Sequence, residues 1–132
     1  MRLLLDTSGY SAFKRGQTEV VELLRAATFI AFNAIVLGEL LSGFAAGSRE
    51  ERNRRELREL LSADRVHLLT MGSETAERFA LIHRQLRQAG TPIPTHDLWI
   101  AASAMEHGLR VVTTDGHFRL VPMLPVEYVA VQ

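Results

Sequence analysis

No cysteine occurs in the 132 residues, which excludes a disulfide framework and every thiolate metal site and makes an intracellular compartment the simplest expectation. Glycine and proline are sparse, nine and four, and the chain is 47% hydrophobic against 23% charged, so the disordered and fibrous classes are excluded too. No apolar run approaches the roughly 18 residues of a membrane-spanning helix. The opening Met1-Arg2-Leu3-Leu4-Leu5 meets Asp6 too soon for the apolar core of a signal peptide. A soluble, cytoplasmic protein with no membrane partner is expected, folded as a single domain over residues 1–132. Net charge is absent as well, fifteen Lys and Arg balancing fifteen Asp and Glu, so bulk electrostatics indicates no partner class. Aspartate is scarce, only four in all, and the places where they fall carry most of the functional information.

Apolar patterning alternates between short runs and helical spacing. Residues 2–5 form a first strand, giving way at Asp6-Thr7-Ser8 to a helix capped by Thr or Ser. Val20, Val21, Leu23 and Leu24 mark a helix over Thr18 to Ala27, followed by a strand from Thr28 to Phe32. Asn33 caps an apolar helix through about Ala46, Ser48 opens a charged helix to about Ser62, and Val66 to Thr70 is a third strand. A helix over Ser73 to Ala89 closes at Gly90. After the stiff loop Thr91-Pro92-Ile93-Pro94, Thr95 caps a helix from His96 to about His107, ended by Gly108. Val111 to Thr114 is a fourth strand, Asp115 to Leu124 a loop or short helical turn, and Tyr128 to Val131 a final strand. Strands separated by helices predict an α/β fold with a mainly parallel central sheet of four to five strands, flanked by helices on both faces.

In such a sheet, sites form where loops leave the carboxyl ends of the strands. Asp6 and Asp115 each follow an apolar strand directly, and Asp97, in the first turn of its helix, faces the same edge. Glu39 lies in Ile35-Val36-Leu37-Gly38-Glu39-Leu40-Leu41, apolar nearly all round, which predicts a buried helix and a carboxylate in need of a cation or donor. Taken singly, the aspartates read as caps or turn formers. Their convergence on one edge favours a site. Clustered carboxylates repel unless protons or a hard cation neutralise them, and all-oxygen ligation suits Mg²⁺ or Mn²⁺. Ions of this kind make water acidic enough to attack phosphorus, so phosphodiester hydrolysis is the natural chemistry.

Four stretches together resemble a known family: Leu4-Leu5-Asp6-Thr7-Ser8, Val36-Leu37-Gly38-Glu39-Leu40, Asp97-Leu98-Trp99-Ile100-Ala101-Ala102 and Thr113-Thr114-Asp115-Gly116-His117-Phe118. In order and spacing, over essentially the whole chain, they resemble the PIN-domain ribonucleases, and most of all the VapC toxins. The resemblance implies a metal-dependent RNA endonuclease, usually a homodimer, held inactive by a cognate antitoxin. It makes Asp6, Glu39, Asp97 and Asp115 the acidic metal ligands. Thr7, Ser8 and Thr114 would then orient those carboxylates or the waters beside them. Many members carry a further Asp two residues after the last one, where this chain has His117.

His96, His107 and His117 lack the His-x-x-x-His spacing of a helical zinc site. They are expected as a helix-start residue, a charge at a helix C-terminus, and a candidate contact to phosphate or leaving group. Arginine supplies fourteen of the fifteen basic residues, and five lie in the charged helix, where Glu50 with Arg54 and Glu51 with Arg55 are expected pairs. With the four site carboxylates neutralised by metal, fifteen basic residues would face eleven acidic ones, an excess suited to steering RNA. Two alternatives remain: an aspartyl-nucleophile phosphatase, for which the second Asp two residues after Asp6 is missing, and a catalytically silent PIN-like domain that binds RNA or protein, which gains nothing from buried negative charge.

Overall fold

In the computed structural model, which describes residues 1–131, the elements are β1 (Arg2–Leu5), α1 (Thr7–Lys14), α2 (Thr18–Ala26), β2 (Phe29–Asn33), α3 (Ala34–Ala46), α4 (Glu50–Leu61), β3 (Val66–Leu69), α5 (Ser73–Ala89), α6 (Thr95–His107), β4 (Arg110–Thr113) and β5 (Val126–Tyr128), with a 3-10 turn over Gly116–Leu120. The five strands are all parallel, in the order β3-β2-β1-β4-β5. The chain builds outward from β1 to β3, then returns to lay β4 on the other side of β1. The reversal falls between β1 and β4, where Leu3, Leu4 and Leu5 register with Arg110, Val111 and Val112. A crevice opens at such a reversal, beyond the carboxyl ends of the two strands.

The central strands are buried on both faces, as a helix-covered parallel sheet requires: Leu3, Leu4, Leu5, Phe32, Val111 and Val112 have no exposed surface. Ile82 of α5 and Ile100 of α6 pack into the same core. Gly90 and Gly108 close α5 and α6 at φ of 72° and 63°, a left-handed conformation that side chains resist, so these two ends fall where expected.

Several boundaries differ from expectation for local reasons. Asp6 itself caps α1, its side chain accepting from the Gly9 amide, so Thr7 and Ser8 are helical rather than capping. Asn33 caps α3 through Val36 as expected, but is also the last residue of β2, one beyond the expected end at Phe32. Pro94 holds the cap position of α6 and Thr95 is the first helical residue. The last strand comes earlier, over Val126–Tyr128, because Val111 donates to the Pro125 carbonyl and sets the register there. In α4 the Glu50–Arg54 pair forms, whereas Glu51–Arg55 does not among the described residues; Glu56 instead pairs with Arg52 and Lys14.

The larger correction concerns α3. Only Val36 and Leu40 of this apolar helix are buried, and Glu39 keeps 35% of its side chain exposed. Composition predicts burial, but α3 presents a single stripe to the rest of the chain and leaves Leu37, Leu41 and Phe44 half-covered.

Candidate active site

Asp6 follows β1 at the reversal point and is 4% exposed. Its Oδ1 accepts from the Gly9 amide at 2.7 Å and from Ser8 Oγ at 2.8 Å, while its Oδ2 accepts from Thr113 Oγ1 at 2.5 Å. Burial pushes its pKa above the ordinary aspartate value, even though all three donors favour the charged form. The close approach of α1 depends on glycine at position 9. A Cβ there would lie 2.3 Å from the Val112 carbonyl oxygen of β4.

Asp97 projects from the first turn of α6 and is 3% exposed. Burial raises its pKa too, opposed by a hydrogen bond from His117 and the charge of His96. His117 Nδ1 lies 3.0 Å from Asp97 Oδ2 and 3.0 Å from Asp115 Oδ1, and its own pKa is raised chiefly by the bond to Asp97. Asp115 Oδ1 also accepts from the His117 amide at 2.9 Å, which caps the 3-10 turn. On the other side, His96 Nε2 stands 3.3 Å from Asp97 Oδ1 and 3.7 Å from Glu39 Oε2. Glu39 Oε1 in turn accepts from Thr7 Oγ1 at 2.9 Å.

The helices bearing Glu39 and Asp97 are locked together from beneath. Buried Asn33 caps α3 through Oδ1, accepting from Val36 N at 3.0 Å, while its Nδ2 donates to Ser103 Oγ of α6 at 3.0 Å. Trp99, half-buried on α6, stacks on Phe79 of α5 with centroids 4.2 Å apart, a contact inside the chain.

The four carboxylates therefore line one cleft of about 220 Å³, together with Thr7, Ser8, His96 and Ile100. Asp97, Asp115 and His117 each offer a donor atom, all within 4.8 Å of one another. Imidazoles stand between the carboxylates where a cation would neutralise them, and the donor set of carboxylates with imidazole fits a divalent ion.

Of the residues expected to orient this site, Thr7 and Ser8 do so directly. Thr114 is different: its backbone amide donates to Ser8 Oγ at 2.9 Å, and its hydroxyl makes no hydrogen bond among the described residues. The hydroxyl that reaches Asp6 belongs to Thr113, because alternate strand residues face opposite ways and position 113 points toward α1. His96 and His117 both stand against carboxylates of the candidate site. His117 stands where many relatives carry Asp and is a candidate from sequence, whereas His96 is expected only as a helix-start residue; the fold brings both against carboxylates from other elements. Gly9 left no sequence signal beyond its identity.

A family model described as the PIN domain matches residues 3–123. Ribonuclease VapC4 of Mycobacterium tuberculosis is 33% identical over 94 residues, covering 71% of this chain and 72% of that protein. Ribonuclease VapC2 of Rickettsia felis is 30% identical over 108 residues, 81% of this chain and 79% of that one. Among solved structures, VapBC2 from Rickettsia felis, bound to a DNA fragment from their promoter, superposes with a TM-score of 0.84 at 27% identity, covering 98% of this chain and 99% of that one.

Proposed function

The chain belongs to the PIN-domain family and is a VapC-type ribonuclease of a toxin-antitoxin system, and we propose that it hydrolyses RNA phosphodiesters in a divalent-metal-dependent reaction at the cleft formed by Asp6, Glu39, Asp97 and Asp115. One observation carries the reading of the site: carboxylates from four separate elements meet at the reversal point of the sheet, two of them almost wholly buried. Burying negative charge costs several kcal/mol per ion unless it is compensated, and a passive RNA-binding surface has no use for it.

Asp6, Glu39, Asp97 and Asp115 would hold Mg²⁺ or Mn²⁺. When bound, such an ion supplies positive charge against the phosphodiester and makes water acidic enough to attack phosphorus. In the net reaction, water adds to phosphorus, a bridging P–O bond breaks, and the departing oxygen takes up a proton. The protein's own residues hold this chemistry in place. Ser8, Gly9 and Thr113 fix the Asp6 carboxylate, Thr7 fixes Glu39, and Ile100 gives the cleft an apolar wall. With three donors on its two oxygens, Asp6 is poorly placed to serve as the nucleophile of a phosphatase.

The partner follows from the same membership. A solved relative, VapBC-5 from Mycobacterium tuberculosis, is a member of the VapBC family of toxin-antitoxin systems, which supports a cognate antitoxin as the partner of this chain. A homodimer is proposed as well, supported by the apolar surface that α3 leaves half-covered. A cytoplasmic site of action is proposed too, since that is where an RNA substrate is met. The test is cleavage of end-labelled RNA by purified protein: Mg²⁺ or Mn²⁺ should support it, EDTA should stop it, and Asp97→Asn should lack it. Undiminished cutting in EDTA would overturn the metal-dependent reading.

A further inference from the structure

We propose that His117 is itself a ligand of the catalytic cation, through Nδ1, and that this nitrogen makes the site select Mn²⁺ over Mg²⁺. The inference rests on the metal-dependent nuclease reading above and adds a residue to it. His117 Nδ1 is 3.0 Å from a carboxylate oxygen of Asp97 and 3.0 Å from one of Asp115. Neighbouring ligands in an octahedral shell with bonds of about 2.1 Å are about 3 Å apart. Both separations from Nδ1 are therefore those of neighbouring ligands in one coordination shell, with the three donor atoms all within 4.8 Å of one another.

The backbone prepares the ring for this role. Asp115 Oδ1 accepts the His117 amide at 2.9 Å, so the carboxylate and the imidazole leave the start of the 3-10 turn as a paired unit. Asp97, nearly inaccessible, forms the fixed third point from α6. The imidazole remains 47% exposed and stands against two carboxylates that line the cleft, Asp97 and Asp115. His96 is less well placed, with its Nε2 at 3.3 and 3.7 Å from the nearest carboxylate oxygens.

A neutral nitrogen donor discriminates between ions that carboxylates alone treat alike. Mg²⁺ prefers oxygen and gives up water reluctantly. Mn²⁺ also suits carboxylates but holds its waters less tightly than Mg²⁺, so an imidazole can displace one of them at lower cost.

Calorimetric titration of the full-length protein with MnCl₂ and with MgCl₂ tests the selectivity, and pulsed EPR of the Mn²⁺-loaded protein tests the ligand. Wild type should bind Mn²⁺ more tightly than Mg²⁺ and show ¹⁴N modulation on the Mn²⁺ echo. His117→Gln should lose that modulation while His96→Gln keeps it. In His117→Asp, which replaces nitrogen by oxygen, the Mn²⁺ preference should shrink by about tenfold or more, within the range that changes around metal sites produce. Modulation that is absent in wild type, that survives in His117→Gln, or a Mn²⁺ affinity that rises on removing the imidazole would overturn the inference while leaving the nuclease reading intact. If wild type binds neither ion, both fail together. Circular dichroism of each variant, expected to match wild type because the ring is half-exposed, separates lost ligation from lost fold.

Discussion

Thr113 Oγ1 donates to Asp6 Oδ2 at 2.5 Å, tying the end of β4 to the residue that follows β1. The same hydroxyl oxygen accepts the Asp115 amide at 2.9 Å. Ser8 repeats the device, accepting the Thr114 amide at 2.9 Å and donating to Asp6 Oδ1 at 2.8 Å. Two hydroxyls thus relay backbone amides of the β4 loop onto one buried carboxylate, and the position of Asp115 relative to Asp6 is set by them.

Replacing Thr113 by Val keeps the shape, strips Asp6 of its shortest donor and leaves the Asp115 amide without its acceptor. A loss of about 1–3 kcal/mol in unfolding free energy is expected, the usual cost of stranding buried polar groups. Thr113→Ser, which retains the hydroxyl, should recover much of it. Thr114→Val should stay within about 0.5 kcal/mol of wild type, since its hydroxyl makes no hydrogen bond among the described residues. Urea denaturation of the three variants decides the matter, and equal effects at 113 and 114 would contradict the geometry.

Gly9 is the second determinant of that junction. A methyl group at position 9 meets the Val112 carbonyl oxygen at 2.3 Å, and β4, paired on both sides, has no room to yield. Gly9→Ala should cost about 1–3 kcal/mol by overpacking. RNA cleavage should fall as well, because α1 can relieve the clash only by carrying the cap of Asp6 away from β4. A variant with unchanged stability and cleavage would show that α1 does not need this approach.

Much of the site was legible because three of its acids stand at strand or helix ends, where chain order alone fixes which edge they face. Asp6 and Asp115 follow strands that register side by side at the reversal point, and Asp97 opens a helix. Glu39 was legible for an imperfect reason: the apolar helix around it suggested a buried carboxylate, yet α3 covers only one stripe. Composition reports apolarity, not what lies opposite. The exchange of Thr114 for Thr113 turns on strand phase, which four residues of sequence set only once the register with β1 is known. His96 and His117 each touch a neighbouring aspartate, Asp97 and Asp115, but the contacts that join them to other elements, His117–Asp97 and His96–Glu39, span 20 and 57 positions and leave no local pattern.

Tyr10 supplies a pH-dependent prediction away from the cleft. Buried beside Phe32, with ring centroids 5.9 Å apart, its phenol is pushed by burial from 10.0 up to about 12, with the charge of Glu56 adding to the effect. An acid held neutral in the folded state favours folding below the unfolded pKa. That contribution is whole below about pH 10 and is lost as pH rises through about 12. Absorbance at 295 nm in a Tyr128→Phe background should show no phenolate near pH 10 while the circular dichroism stays native. Ionisation at pH 10 without unfolding would contradict the burial.

On the proposed metal-dependent reading, metal binding and folding are linked most directly through Asp97. In the metal-free protein a carboxylate with 3% exposure is held charged by imidazoles, and burial works against that charge. Asp97→Asn removes the charge while keeping the size, so the metal-free variant should melt at or above the wild-type temperature, the gain growing at higher pH as His117, whose pKa is raised chiefly by its bond to Asp97, gives up its charge. A divalent ion that binds only folded protein should add stability that rises by about 1.4 kcal/mol for each tenfold increase in free metal above the dissociation constant. Asp97→Asn should lose most of that rise. Asp64→Asn, in an exposed turn, should keep it whole. Melting curves in EDTA and across a MnCl₂ titration check the three proteins together. A plain helix-start aspartate would give the opposite pattern, with Asp97→Asn neutral or destabilised in EDTA and all three proteins shifted equally by metal, and that pattern would remove Asp97 from the site.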